Sequence, residues 1–255
     1  MKKVLFSLIF LVTLIGLSAS GCNFVYGSGA IVSKEYDYQN FTNVEVSSYF
    51  FVEVTRSSIY QVVVSTHGNI IDQLDVVQSG NTLKLRLKSG SYANTDLKAT
   101  IGMPEINRFA MSGASKGNIK GFKSTNGFDL DVSGASQLEL DMEAGKTTIE
   151  IFGASRVSGK LVAQDAEFEV SGASRCELDG SAGDTHLEVS GASRAALASF
   201  PARNADVNVS GASQVSINTA GKLDVNVSGS STLEYSGNPR LGKVSVTGAS
   251  RLNER

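Results

Sequence analysis

Apolar and polar residues alternate through most of the chain. The run Leu130-Asp131-Val132 returns as Ile149-Glu150-Ile151, Phe168-Glu169-Val170, Leu187-Glu188-Val189, Val207-Asn208-Val209, Val225-Asn226-Val227 and Val244-Ser245-Val246. Alternation of period two predicts a strand with one buried face, because successive side chains leave opposite sides of the backbone. After each pair comes a small-residue phrase, SGAS or a close variant, and then a second alternating pair: Leu138/Leu140, Cys176/Leu178, Val215/Ile217 and Leu233/Tyr235. A weaker third column holds Ala144, Ala163, Ala182 and Ala202. The glycine of the phrase falls at 113, 134, 153, 172, 191, 211, 229 and 248, with gaps of 21, 19, 19, 19, 20, 18 and 19 residues. A period near 19 over eight copies predicts stacked supersecondary units, each with two or three short strands separated by bends.

At about 3.3 Å per residue, a coil of that length has a contour of roughly 63 Å at most, which suits a three-sided coil with sides of about five residues. Stacked coils make parallel strands along the whole length. The sequence therefore predicts an all-β fold, a right-handed parallel β-helix (β-solenoid) over residues 107–255. A left-handed form would show six-residue apolar spacing, which is absent. An antiparallel meander or β-sandwich would need two hairpin turns per period, and only scattered candidates occur. SGAS reads as a corner. Glycine takes backbone conformations that other residues avoid, alanine and serine need little room, and serine hydroxyls satisfy backbone groups at bends.

The region before the repeats is less regular. Alternation at Val44/Val46, at Phe50/Val52/Val54 and across Tyr60–Ser65 predicts strands. Asn69, followed by Ile70, Ile71 and Leu74, predicts one short helix with Asn69 as its cap. Val76 to Leu87 predicts two strands around a tight turn at Gly80-Asn81, and Asp96 to Met103 one more strand. The chain divides into a signal peptide (1–21), an anchor cysteine and tether (22–34), an irregular β region with the short helix (35–106) and the repeats (107–255), the last two continuous in one domain.

Charge adds little to this picture. Lys and Arg number 23 against 25 acids, a net −2, and no basic excess points to nucleic acid. The first residues change it more. Lys2 and Lys3, an apolar run from Val4 to Leu17 and the small residues before Cys22 have the form of a secretory signal. The run is short for a membrane-spanning helix. Ala19-Ser20-Gly21-Cys22 resembles a bacterial lipobox, with Ala19 where leucine is most frequent. Cys22 is accordingly the expected lipidation site, with ordinary cleavage before a spare cysteine as the alternative. Without Lys2 and Lys3 the balance moves from −2 to −4. The other cysteine, Cys176, falls in the apolar column with Leu138 and Val157 and reads as core, so no disulfide is expected.

Candidate chemistry is sparse. The two histidines, His67 and His186, have no further His or Cys at ligand spacing, so neither a metal nor any other cofactor is expected. Eight equivalent serines sharing two histidines do not read as a nucleophile elbow. The residue after each phrase is more suggestive. Three consecutive copies place Arg156, Arg175 and Arg194 there. They form either a strip that meets an anionic glycan or a solvated face balanced across the corner by Asp131, Glu150, Glu169 and Glu188.

Taken together, the lipoprotein-like start, Phe41 to Ser47, the strand Phe51 to Val54, the segment Ile70 to Leu87, Met103-Pro104 and the repeated V-S-G-A-S resemble a bacterial domain family, "putative auto-transporter adhesin, head GIN domain". The resemblance covers roughly Tyr36 to Leu252. It implies a β-solenoid on the cell envelope and brings no catalytic residues. The expected protein is a non-enzymatic envelope lipoprotein, anchored in the outer membrane through Cys22, whose partners are a membrane and a glycan or surface protein. Two alternatives stand beside it. One is a polysaccharide-processing enzyme with its site between Val44 and Met103. The other is a structural component that associates with itself or a partner through the open solenoid end near Leu252.

Overall fold

The computed structural model describes residues 24–255; the expected signal peptide and Cys22 lie outside them. Within this range the chain is a β-solenoid whose coils follow the 19-residue period. One coil runs through the strand Thr147–Ile151, the corner 152–155, the strand Arg156–Ala163 and a two-residue turn at 164–165. This coil thus has two strands, one short and one long, where the sequence left two or three open; in two later coils the long and the short side run together as single strands, Arg175–Val189 and Arg194–Val209. The expected three sides of equal length do not appear, because the apolar alternation runs unbroken from Leu138 through Leu140 and Met142 to Ala144, all buried.

Register is direct from coil to coil. Leu130 pairs with Ile149, Ile149 with Phe168 and Phe168 with Leu187 in one parallel sheet. Leu138 pairs with Val157 and Val157 with Cys176 in the other. The interior is therefore a set of apolar columns, in which Phe168 meets Phe200 edge-on at 5.7 Å. Cys176 is fully buried in its column, and the apolar surroundings push its thiol up to about 12. The 20-residue gap is absorbed where the register slips between Glu177 and Ala182.

The irregular region is the cap of the same solenoid. Asn43–Val46 stacks between Thr82–Leu87 and Arg108–Met111. Phe51–Arg56 stacks between Lys98–Met103 and Lys116–Lys123. The coil that comes first in sequence is thus second in space. Beyond it, Leu74–Ser79 pairs antiparallel with Thr82–Leu87 around the expected Gly80-Asn81 turn, and Gln61–His67 pairs antiparallel with Lys98–Met103. Ile31–Glu35 adds the outermost strand on that side. These strands cover an edge that would otherwise stay open.

Two expectations give way here. Residues 24–34 are not a tether. Phe24–Tyr26 pairs with Ser91–Ala93 and Ile31–Glu35 with Gln61–His67, because backbone groups on both sides are available to pair. The short helix is a single 3-10 turn, Ile71–Gln73. Asn69 does not cap it: its side chain accepts from the Ser28 amide (2.8 Å) and donates to the Tyr26 carbonyl (2.7 Å).

Candidate functional site

The repeated phrase is a corner that presents one face inward and another outward. At Gly172 φ is +81°, and a Cβ there would lie 2.4 Å from the Gly153 carbonyl oxygen of the coil below, so only glycine stacks at this spacing. The second serine turns inward: Ser136, Ser155, Ser174, Ser193, Ser213 and Ser231 are buried. Around it the backbone ladder runs on, with Ala154 N–H donating to the Gly134 carbonyl and Arg156 N–H to the Ser136 carbonyl, both at 2.8 Å. The amide between them points away from that ladder and donates to the hydroxyl of the next coil, Ser155 N–H to Ser174 Oγ at 3.4 Å. Ser174 N–H and Ser213 N–H likewise meet Ser193 Oγ and Ser231 Oγ. These hydroxyls accept from buried amides, which is a structural task.

The glycine and alanine of each corner face outward and form a smooth exposed ledge. One side of the ledge carries the predicted arginines. Arg156 pairs in register with Arg175 and Arg175 with Arg194, which stacks three guanidinium groups on consecutive coils, about 4.8 Å apart at the backbone. All three are exposed. The ion pairs nearby join Arg108 with Asp131 (3.8 Å), Lys146 with Glu167 (3.7 Å) and Arg203 with Asp184 (2.9 Å). Among the described residues none takes up Arg156, Arg175 or Arg194. The balance expected across the corner is therefore not made by contact. Arg194 Nη1 donates to Gln214 Oε1 at 3.2 Å, in the same column one coil on. Past it a groove of about 290 Å³ is lined by Arg194, Gln214, Thr232, Glu234 and Arg255. Gln214 continues the column that follows each phrase, and Arg255 extends the strip beyond it; the sequence pattern did not single out Arg255 because no other copy carries an arginine at its position.

The other side of the ledge is acidic. Asp131, Glu150, Glu169 and Glu188 stack in register. Partial burial first, and then the neighbouring Asp131 and Glu169, hold the Glu150 carboxyl above the usual carboxylate range. His186 is partly exposed, 3.5 Å from Glu188 and 3.9 Å from Asp206. Among the described residues no group of three His, Cys, Asp or Glu side chains is arranged to hold a metal ion, and no helix is long and apolar enough to cross a membrane.

Comparison with known proteins agrees with this architecture. The family model "Putative auto-transporter adhesin, head GIN domain" matches residues 40–239. A crystal structure of a putative lipid binding protein from Parabacteroides distasonis superposes with a TM-score of 0.85 at 19% identity, covering 91% of this chain and 99% of that one. A putative adhesin from Parabacteroides merdae gives a TM-score of 0.85 at 13% identity, with 91% and 99% covered. A putative adhesin from Bacteroides fragilis gives 0.66 at 19% identity, with 91% and 100% covered. At such identities these likenesses establish the shared fold. A search of curated proteins finds no match.

Proposed function

The chain belongs to the putative auto-transporter adhesin, head GIN domain family, and from that premise we propose that it is a non-enzymatic cell-envelope lipoprotein, anchored in the outer membrane through Cys22, whose solenoid recognises an extended polyanionic glycan. The observation that carries the reading is the strip Arg156, Arg175 and Arg194: in register, exposed and unpaired beside a flat ledge. A linear polyanion laid along the solenoid axis meets all three guanidinium groups, and arginine suits carboxylate or sulfate through its planar fork of donors. The acidic column on the far side of the ledge repels the same polymer and so fixes its track.

The test is a glycan array probed with the purified protein, with hydrolysis or elimination of every bound glycan followed in parallel. The reading predicts saturable binding to acidic glycans without turnover, weakened about 3- to 150-fold when the three arginines become serine, at roughly 0.2–1 kcal/mol per exposed charge pair. Turnover would move attention to the region Val44–Met103. Binding that survives the triple substitution would remove the strip from the account.

A further inference from the structure

Exposed large apolar side chains stand near both ends of the solenoid, with Leu241, Val244 and Val246 toward the C-terminal end and Tyr49, Phe51 and Ile59 beside the cap. At the N-terminal end they are Phe24, Val25 and Tyr26 on the first strand, Ile31 and Val32 on the outermost strand, and Val77 on the neighbouring edge. Phe24 and Tyr26 are 51% and 64% exposed, with ring centroids 6.2 Å apart. These rings sit on a segment that is held firmly. Besides the pairing of Phe24–Tyr26 with Ser91–Ala93, Gly27 N–H donates to the Ala93 carbonyl (2.9 Å) and Gly68 N–H to the Ala30 carbonyl (3.0 Å). Asn94 Nδ2 donates to the Gly27 carbonyl (3.2 Å), and His67 Nδ1 lies 3.1 Å from the Gly29 carbonyl. With Asn69 on Ser28 and Tyr26, three side chains clasp the segment.

Chain geometry then has a consequence. Phe24 follows Cys22 by two residues, so their Cα atoms are separated by at most about 7 Å. An acyl group on Cys22 enters the hydrocarbon region at its root, and no slack separates it from the docked strand. We propose that the N-terminal end of the solenoid lies against a phospholipid bilayer, with Phe24, Tyr26 and Ile31 in the headgroup zone, where aromatic side chains are favoured. The protein then stands on the membrane in one orientation. The arginine strip begins three rungs beyond the strand Phe51–Arg56, so it is held at a set height, roughly 15–25 Å above that first coil, and faces sideways. This inference rests on the reading of Cys22 as acylated, and its test separates the two.

The chain contains no tryptophan, so one introduced indole reports alone. The full chain, produced with its leader and recovered from the membrane fraction, is reconstituted into phosphatidylethanolamine/phosphatidylglycerol vesicles as Phe24→Trp, as Tyr26→Trp and, for the far end, as Leu252→Trp. The mass of the N-terminal peptide reads acylation separately. The proposal predicts blue-shifted emission and quenching by brominated acyl chains for Phe24→Trp and Tyr26→Trp, with Leu252→Trp quenched only by aqueous iodide. Acylated protein in which all three indoles are equally open to iodide overturns the proposal and leaves the anchor standing. Unacylated protein in which the first two indoles are still quenched by bromolipid removes the anchor and keeps the membrane face. If neither acylation nor bromolipid quenching is found, both fall.

Discussion

At the N-terminal end the outermost strands pair antiparallel, Ile31–Glu35 on Gln61–His67 and Leu74–Ser79 on Thr82–Leu87. From Asn43–Val46 onward along the stack, every pairing between coils is parallel. The cap closes an edge with contacts that each occur once. The coils leave the next edge open on purpose, since each is the template for its neighbour, and they meet the same need with one solution repeated. A residue in the cap therefore answers to its own partners, whereas a residue in a coil answers to its copies above and below.

The largest effect expected from this contrast is between glycines. At Gly80, in the cap hairpin, φ is +60° and a Cβ would meet nothing within 4 Å. Gly80→Ala should cost about 1–2 kcal/mol, the price of a left-handed backbone alone. At Gly172 the same added methyl meets the backbone of the coil below, and Gly172→Ala should cost more than about 3 kcal/mol. Denaturant unfolding of the two variants checks this, and equal losses would break the comparison. Next comes the serine ladder. Ser174→Ala leaves the buried Ser155 amide without its acceptor and should cost about 1–3 kcal/mol. Asn69→Ala, in the exposed clasp, should leave the melting temperature nearly unchanged while hydrogen exchange of residues 24–35 rises.

The smallest effect is electrostatic. Folding raises the Glu150 carboxyl above its usual range, so ionisation is harder in the folded state. The stability linked to this group is present when it is protonated, below the unfolded value near about 4, and is lost as pH rises through the folded value. Glu150→Gln should therefore raise the melting temperature slightly near pH 7 and not below about pH 4. Cys176, buried and with its thiol pushed up to about 12, should resist thiol reagents in the folded protein near pH 8 and react on unfolding.

The same contrast explains what could be read in advance. The strand columns, the corner, the register of Arg156, Arg175 and Arg194 and the burial of Cys176 were legible because eight copies vote on each position. The hairpin at Gly80-Asn81 was legible because its turn chemistry is local. The spatial order of the first two coils, the antiparallel edge and the docking of residues 24–35 depend on single long-range pairings such as Ile31 with His67, which leave no periodic trace. Asn69 looked like a helix cap for the same reason: its partners, Ser28 and Tyr26, lie some forty residues away. At the candidate site, repetition made the arginine strip visible, whereas the groove beyond Arg194 depends on the long-range placement of Arg255 beside Gln214 and Thr232, which leaves no periodic trace.

The central claim is that the coils array three unpaired guanidinium groups for a linear polyanion. The most direct measurement is an equilibrium isotherm with polygalacturonate, neutral dextran as the control, for the natural protein and for the variant carrying Arg156→Ser, Arg175→Ser and Arg194→Ser, at low and high salt. The account predicts binding to polygalacturonate alone, weakened by salt and reduced about threefold or more in the variant. Equal affinity of the two proteins at both salt concentrations would contradict it.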